Sequence, residues 1–125
     1  MRSWLKNSDA RQMSSTEAAW LAGFIDGEGT VCSYRGGRGG KYQSWILSVT
    51  NTNLASLEYC RAITGVGSVR SKRRHNVPEH WKQSYQWQVT AQREIIDVLR
   101  QIVGFLQIKR DVAKAFIDNW RDVEN

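Results

Sequence analysis

The chain has 125 residues, enough for one domain with a modest core, and 41% of them are hydrophobic. Lys and Arg number 18 against 12 Asp and Glu; the net charge of +6 favours a polyanionic partner. No apolar run is long enough to span a membrane, residues 1–6 lack the hydrophobic core of a secretory signal, and Cys32 and Cys60 follow no disulfide or zinc spacing, so an intracellular, non-secreted protein with reduced thiols is expected.

Residues 1–13 read as a polar, irregular arm, with Trp4 and Leu5 as its strong anchors, and a single domain is expected over 14–125. Ser14-Ser15-Thr16-Glu17 has the form of a capping box. Apolar residues at 20, 21, 24 and 25 then keep helical spacing, and a helix is predicted over 15–28, stopped by Gly29. Gly23 and Gly27 are four apart and share one face of it. Each glycine costs an exposed helix about 1 kcal/mol relative to alanine, a cost that close approach of another backbone would compensate. At its far end, Asp26 and Glu28 oppose the helix macrodipole, and a metal ion would reverse that sign.

A strand over 30–35, a glycine-rich turn over 36–40 and a strand over 41–50 make a hairpin, in which Trp45, Leu47 and Val49 alternate with Ser44, Ile46, Ser48 and Thr50. Asn51 or Thr52 is expected to cap a second helix, with Leu54, Leu57, Cys60, Arg61 and Ile63 as its stripe and Gly65 as its end. A third strand over 67–74 places Ser68, Arg70, Lys72 and Arg74 on one face. A loop with the sole proline, Pro78, leads to a strand over 85–90, with Tyr85, Trp87 and Val89 inward and Gln86, Gln88 and Thr90 outward. Thr90 is expected to cap a third helix carrying Ile95, Ile96, Val98, Leu99, Ile102 and Val103, which Gly104 breaks. After a connector over 105–109, Val112, Ala115, Phe116 and Trp120 mark a last helix.

The order α-ββ-α-ββ-α-α predicts an α+β domain, a four-stranded antiparallel sheet with helices on one face. Its other face would stay wet, carrying Tyr34, Tyr42, Ser44, Ser48, Ser68, Arg70, Lys72, Arg74, Gln86, Gln88 and Thr90. Arg and Gln form bidentate contacts with guanine and adenine edges, and Lys and Arg neutralise phosphates. With Arg35, Arg38 and Lys41 on the first hairpin, the face reads as a DNA-contact surface rather than an ordinary polar sheet face.

Leu21-Ala22-Gly23-Phe24-Ile25-Asp26-Gly27-Glu28-Gly29 resembles the LAGLIDADG motif of homing endonucleases; Phe24 exchanges one apolar residue for another, Gly27 stands for Ala and Glu28 for Asp. The resemblance covers residues 16–120 and implies the homing endonuclease fold and metal-dependent hydrolysis of double-stranded DNA, with Mg²⁺ as cofactor and Ca²⁺ supporting binding without cleavage. It makes Glu28, beside the Gly29 backbone, the metal-binding carboxylate, and Asp26 a structural residue near the helix–helix contact. Lys109 matches a basic residue near the scissile phosphate, and Asn51 matches a polar position, often Gln, that organises active-site water. A basic residue that some members place four positions later falls here on Ala55, so that role is either vacant or filled by another residue, Arg70 or Lys72 being the candidates. A single motif implies a homodimer with Gly23, Gly27 and Asp26 at the contact, each subunit bringing one Glu28. The implied target is a long, partly palindromic site cut with staggered 3′ overhangs, and no small-molecule substrate is expected. An intron maturase, or a non-catalytic DNA- or RNA-binding protein on the same fold, stays open as an alternative.

Overall fold

The structure, a computed structural model, describes residues 8–36, 39, 42–72 and 82–120, and at 36, 42 and 43 it describes the backbone alone. Helix α1 (Ser15–Glu28) opens with the predicted capping box: Ser14 Oγ accepts from Glu17 N–H at 3.1 Å, and Glu17 Oε1 accepts from Ser14 N–H at 2.9 Å. It buries Ala18, Leu21, Ala22 and Ile25. Its end differs from a left-handed glycine stop. Gly29 has φ −93° and ψ 172°, extended backbone, so the chain runs straight into a strand. Glycine is needed there for room: a Cβ at Gly29 would lie 2.9 Å from Ile25 Cα.

Strands β1 (Gly29–Gly36) and β2 (Tyr42–Asn51) form the first hairpin. Helix α2 (Leu54–Thr64) follows, then β3 (Ser68–Lys72), β4 (Ser84–Val89), α3 (Gln92–Ile102), a 3₁₀ turn over Val103–Phe105, and α4 (Arg110–Asn119). The sheet order is β1-β2-β4-β3 and every neighbouring pair is antiparallel. The predicted α+β architecture is the one observed. Leu47, Val49, Trp87 and Val89 on the inner sheet face are at most 1% exposed and meet Leu21, Ile25, Leu57, Ile95, Leu99 and Ile102 from the helices. Among the described residues no helix is long and apolar enough to cross a membrane.

Local details depart from the sequence expectations for identifiable reasons. Asn53, not Asn51 or Thr52, caps α2: its Oδ1 accepts from Ser56 N–H at 2.8 Å, while Asn51 Oδ1 accepts from Asn53 N–H at 2.9 Å. An Asx turn at Asn51 followed directly by the Asn53 cap thus carries β2 into α2. Thr90 caps nothing; Ala91 holds the N-cap position of α3 without a side-chain bond. Gln92 instead donates to Thr90 O and brackets the backbone of Trp45, accepting from its N–H and donating to its carbonyl, both at 3.0 Å. That side chain continues the ladder where β4 has ended. In α4 the inward residues are Ala113 and Phe116, and Ala115 is exposed.

Residues 8–13 lie against the domain. Arg11 N–H donates to Thr64 O, Arg11 Nη1 to Ile63 O, and Met13, 6% exposed, joins the core while Gln101 bridges the backbones of Arg11 and Met13. A further requirement is Gly67, at φ +87°, where a Cβ would lie 2.6 Å from Trp87 Nε1; that indole donates to Val66 O at 3.0 Å.

Candidate functional site

The register sorts the sheet face opposite the helices into rows. Thr30, Ser48, Gln88 and Ser68 line up across all four strands, and Thr50, Gln86 and Arg70 form the next row across β2, β4 and β3. Tyr34, Ser68, Arg70 and Lys72 are exposed, and Ser44, Gln86 and Gln88 are half-buried. Arg70 Nη2 lies 3.4 Å from Ser68 Oγ, so the basic row is braced along its own strand. Ser48 shares the face but is only 7% exposed: Thr30 and Gln88 flank it, and it supplies flatness more than contact. Arg35 alternates with Tyr34 and so belongs to the other side of β1. Arg38, Lys41 and Arg74 lie outside the described residues, as do Arg73, His75 and Pro78; Tyr42 is placed on β2 by its backbone alone.

At one end of this face the strand ends and the end of α1 border a shallow, open recess of about 270 Å³, lined by Glu28, Thr50, Asn51, Thr52 and Ser84. Glu28 is the last residue of α1 and is exposed. The geometry therefore unites two of the sequence candidates, Glu28 and Asn51, and adds Thr50, Thr52 and Ser84, which the sequence reading did not single out. Asn51 is partly committed, because its Oδ1 holds the Asx turn.

Lys109 does not line the recess but is fixed at the same end of α1. Its Nζ donates to Asp26 O at 2.9 Å, a cation on a carbonyl of the last helical turn. The Asp26 carboxylate returns the contact, accepting from Gln107 N–H at 2.7 Å and Lys109 N–H at 3.0 Å. Asp26, expected at a subunit contact, thus spends its carboxylate inside its own chain and latches the Lys109 loop onto α1. Desolvation pushes this carboxyl up, but the backbone N–H groups of Lys109, Gln107 and Ile108 and the Lys109 charge outweigh it and leave its pKa below the ordinary value.

The helix face beside this end is bare. A Cβ at Gly23 or Gly27 would meet nothing within 4 Å among the described residues. Trp20 and Phe24 lie on the same stripe, their rings 5.1 Å apart, and Tyr59 of α2 packs edge-on to Trp20 at 4.8 Å. Trp20 and Tyr59 remain 38% and 42% exposed. Ala55, where the resemblance leaves a basic position vacant, is exposed on the first turn of α2. Across the sheet, Lys72 stands opposite Ser84.

The donors around the recess suit a hard divalent cation: one carboxylate with hydroxyl and amide oxygens, and neither thiolate nor imidazole. Among the described residues no three acidic, His or Cys side chains converge. Magnesium, which keeps several waters and takes one or two carboxylates, does not need such a cage.

Known structures share this fold. The homing endonuclease I-CvuI, in complex with its target in the presence of Ca, matches with a TM-score of 0.70 and 24% identity over 83% of this chain and 65% of that one. The archaeal intron-encoded homing endonuclease I-Vdi141I, complexed with DNA, matches at 0.63 and 23% over 82% of this chain and 65% of that one. The I-SmaMI LAGLIDADG homing endonuclease, bound to cleaved DNA, matches at 0.60 and 18% over 89% of this chain and 38% of that one. The chain therefore has the LAGLIDADG homing endonuclease fold and spans 65% or less of the length of these proteins. No protein-family model matches the sequence, and no curated protein does.

Proposed function

We propose that the protein is a site-specific, metal-dependent endonuclease that acts as a homodimer on double-stranded DNA. The observation that carries this reading is the position of Glu28: an exposed carboxylate, at the end of the motif helix, in an oxygen-lined recess that opens beside a basic sheet face. A carboxylate there is disfavoured by the helix dipole, which a bound cation offsets. Glu28 and the Gly29 backbone would hold Mg²⁺, which when bound would offset phosphate charge and lower the pKa of a coordinated water.

Each group has its own task. Arg70, Gln86 and Gln88 would read base edges in the major groove, and Lys72 would hold backbone phosphate near the recess. Lys72, opposite Ser84, would fill the basic role vacant at Ala55. Asn51 would orient water, and Lys109, latched by Asp26, would stabilise charge at the scissile phosphate. The bare Gly23–Gly27 face, walled by Trp20, Phe24 and Tyr59, would take the same face of a second copy. Two Glu28 carboxylates, one per strand, would then produce the staggered break in a partly palindromic site.

The test begins with a duplex selected by the unmodified protein from a randomised library, in Mg²⁺. Glu28→Gln keeps the shape of the side chain and removes its charge. It should fold, dimerise and bind that duplex in Ca²⁺ with near-parent affinity, yet not cut it in Mg²⁺. Cutting at the parent rate would remove Glu28 from the chemistry, and failure of the unmodified protein to enrich any cut duplex would defeat the endonuclease reading.

A further inference from the structure

Ser84, the first residue of β4, is 2% exposed, yet its Oγ has no hydrogen-bond partner among the described residues. Buried hydroxyls are nearly always paired, with protein or with ordered water, so an orphan among the described residues points to a water as its partner. Ser84 forms part of the wall of the recess that also holds Glu28, Thr50, Asn51 and Thr52, and each of these five side chains carries an oxygen. The recess, about 270 Å³, is roomy for waters that each occupy about 30 Å³, and its polar wall offers the several partners that an ordered water needs. Asn51 Oδ1 is held by Asn53 N–H, whereas among the described residues nothing engages the proton or the lone pairs of the Ser84 hydroxyl.

We propose that Ser84 is a positioning residue of the cleavage centre: its hydroxyl anchors the inner end of a hydrogen-bonded water chain whose outer end meets the Glu28 carboxylate. The inference rests on the endonuclease reading of Glu28. Ser84 touches neither DNA nor metal. A hydroxyl both donates and accepts, so it fixes the orientation of the innermost water without titrating, and the order is passed to the water nearest Glu28.

Ser84→Ala separates this role from a structural one. Exchanging one water-bonded hydroxyl for a methyl should shift the melting temperature of the metal-free protein by no more than a few degrees. Binding of the selected duplex in Ca²⁺ should stay at the parent level, while the single-turnover cleavage rate in Mg²⁺ falls about tenfold, as when a group supporting a metal site is removed. Ser84→Thr, which keeps the hydroxyl, should cut faster than Ser84→Ala. A crystal structure of the unmodified protein should show an ordered water within hydrogen-bond distance of Ser84 Oγ. Parent-rate cleavage by Ser84→Ala overturns the proposal, and so does a lowered melting temperature together with lost binding, or a dry recess. Glu28→Gln is run beside it: if that variant also cuts at the parent rate the endonuclease reading of Glu28 fails, whereas parent-rate cutting by Ser84→Ala alone removes only the role of Ser84.

Discussion

The carboxylate of Asp26 holds two backbone N–H groups of the 107–109 loop, while the Lys109 ammonium holds the Asp26 carbonyl. Its pKa is depressed in the folded protein, so its contribution to stability is present above the unfolded value of about 3.9 and is lost as pH falls through the lower folded value. Asp26→Asn should therefore be less stable by roughly 1–2 kcal/mol at neutral pH, with the gap to the parent closing as pH drops below about 4, read from urea unfolding at a series of pH values. Lys109→Met should slow cleavage on the order of a hundredfold, less than Glu28→Gln, because it removes one source of charge stabilisation among several. The sequence marked Asp26, Glu28, Asn51 and Lys109 through the motif and its resemblance. It did not show the latch, which joins residues far apart in the chain, nor Ser84, whose burial comes from strands that pair only in the folded sheet.

Elements were legible where the signal is local. The capping box of α1 and the alternation of β2 and β4 depend on neighbours within a few residues, and both are observed. The caps of α2 and α3 were not legible, because Asn51, Thr52 and Asn53 compete for one role and Gln92 finds its partner on β2. The entry to β3 carries a sharper constraint. Gly67 has positive φ and faces Trp87 Nε1, so Gly67→Ala brings both backbone strain and a collision with a fully buried ring. A loss of about 1–3 kcal/mol is expected by chemical denaturation. The neighbouring sheet residue Arg70 should behave differently: Arg70→Ala leaves stability near the parent level. If it reads a guanine it costs about 1–3 kcal/mol of binding and relaxes preference at one base pair per half-site; a phosphate contact would instead lower the salt slope by about one.

For the whole molecule, the open space at Gly23 and Gly27 matters most. Within one subunit a methyl group would fit at either position, and alanine would favour the helix by about 1 kcal/mol. Nothing inside the described subunit therefore asks for these glycines, which is the argument for a partner helix. The unmodified protein is expected to sediment as a dimer at micromolar concentration, and Gly23→Leu as a folded monomer. A parent protein that sediments as a monomer would remove the premise. Trp20 and Tyr59 widen the same surface, and the sequence hid them because Trp20 reads as one more apolar residue of the helix and Tyr59 lies on a different helix.

The two thiols differ enough to serve as a reporter. Cys60 is fully buried, and burial pushes its thiol up to about 12 against the smaller pull of a backbone hydrogen bond, so it stays protonated and inaccessible at neutral pH. Cys32 is exposed and, paired with Ile46 beside the Thr30 and Tyr34 positions, stands on the wet face of β1. Maleimide at neutral pH should therefore add once per chain, at Cys32, as read by mass spectrometry. A saturating duplex in Ca²⁺ should slow that alkylation by covering the sheet, and a fluorophore attached there would follow association without altering Glu28. Unchanged labelling kinetics under saturation would place the nucleic acid on another side of the molecule.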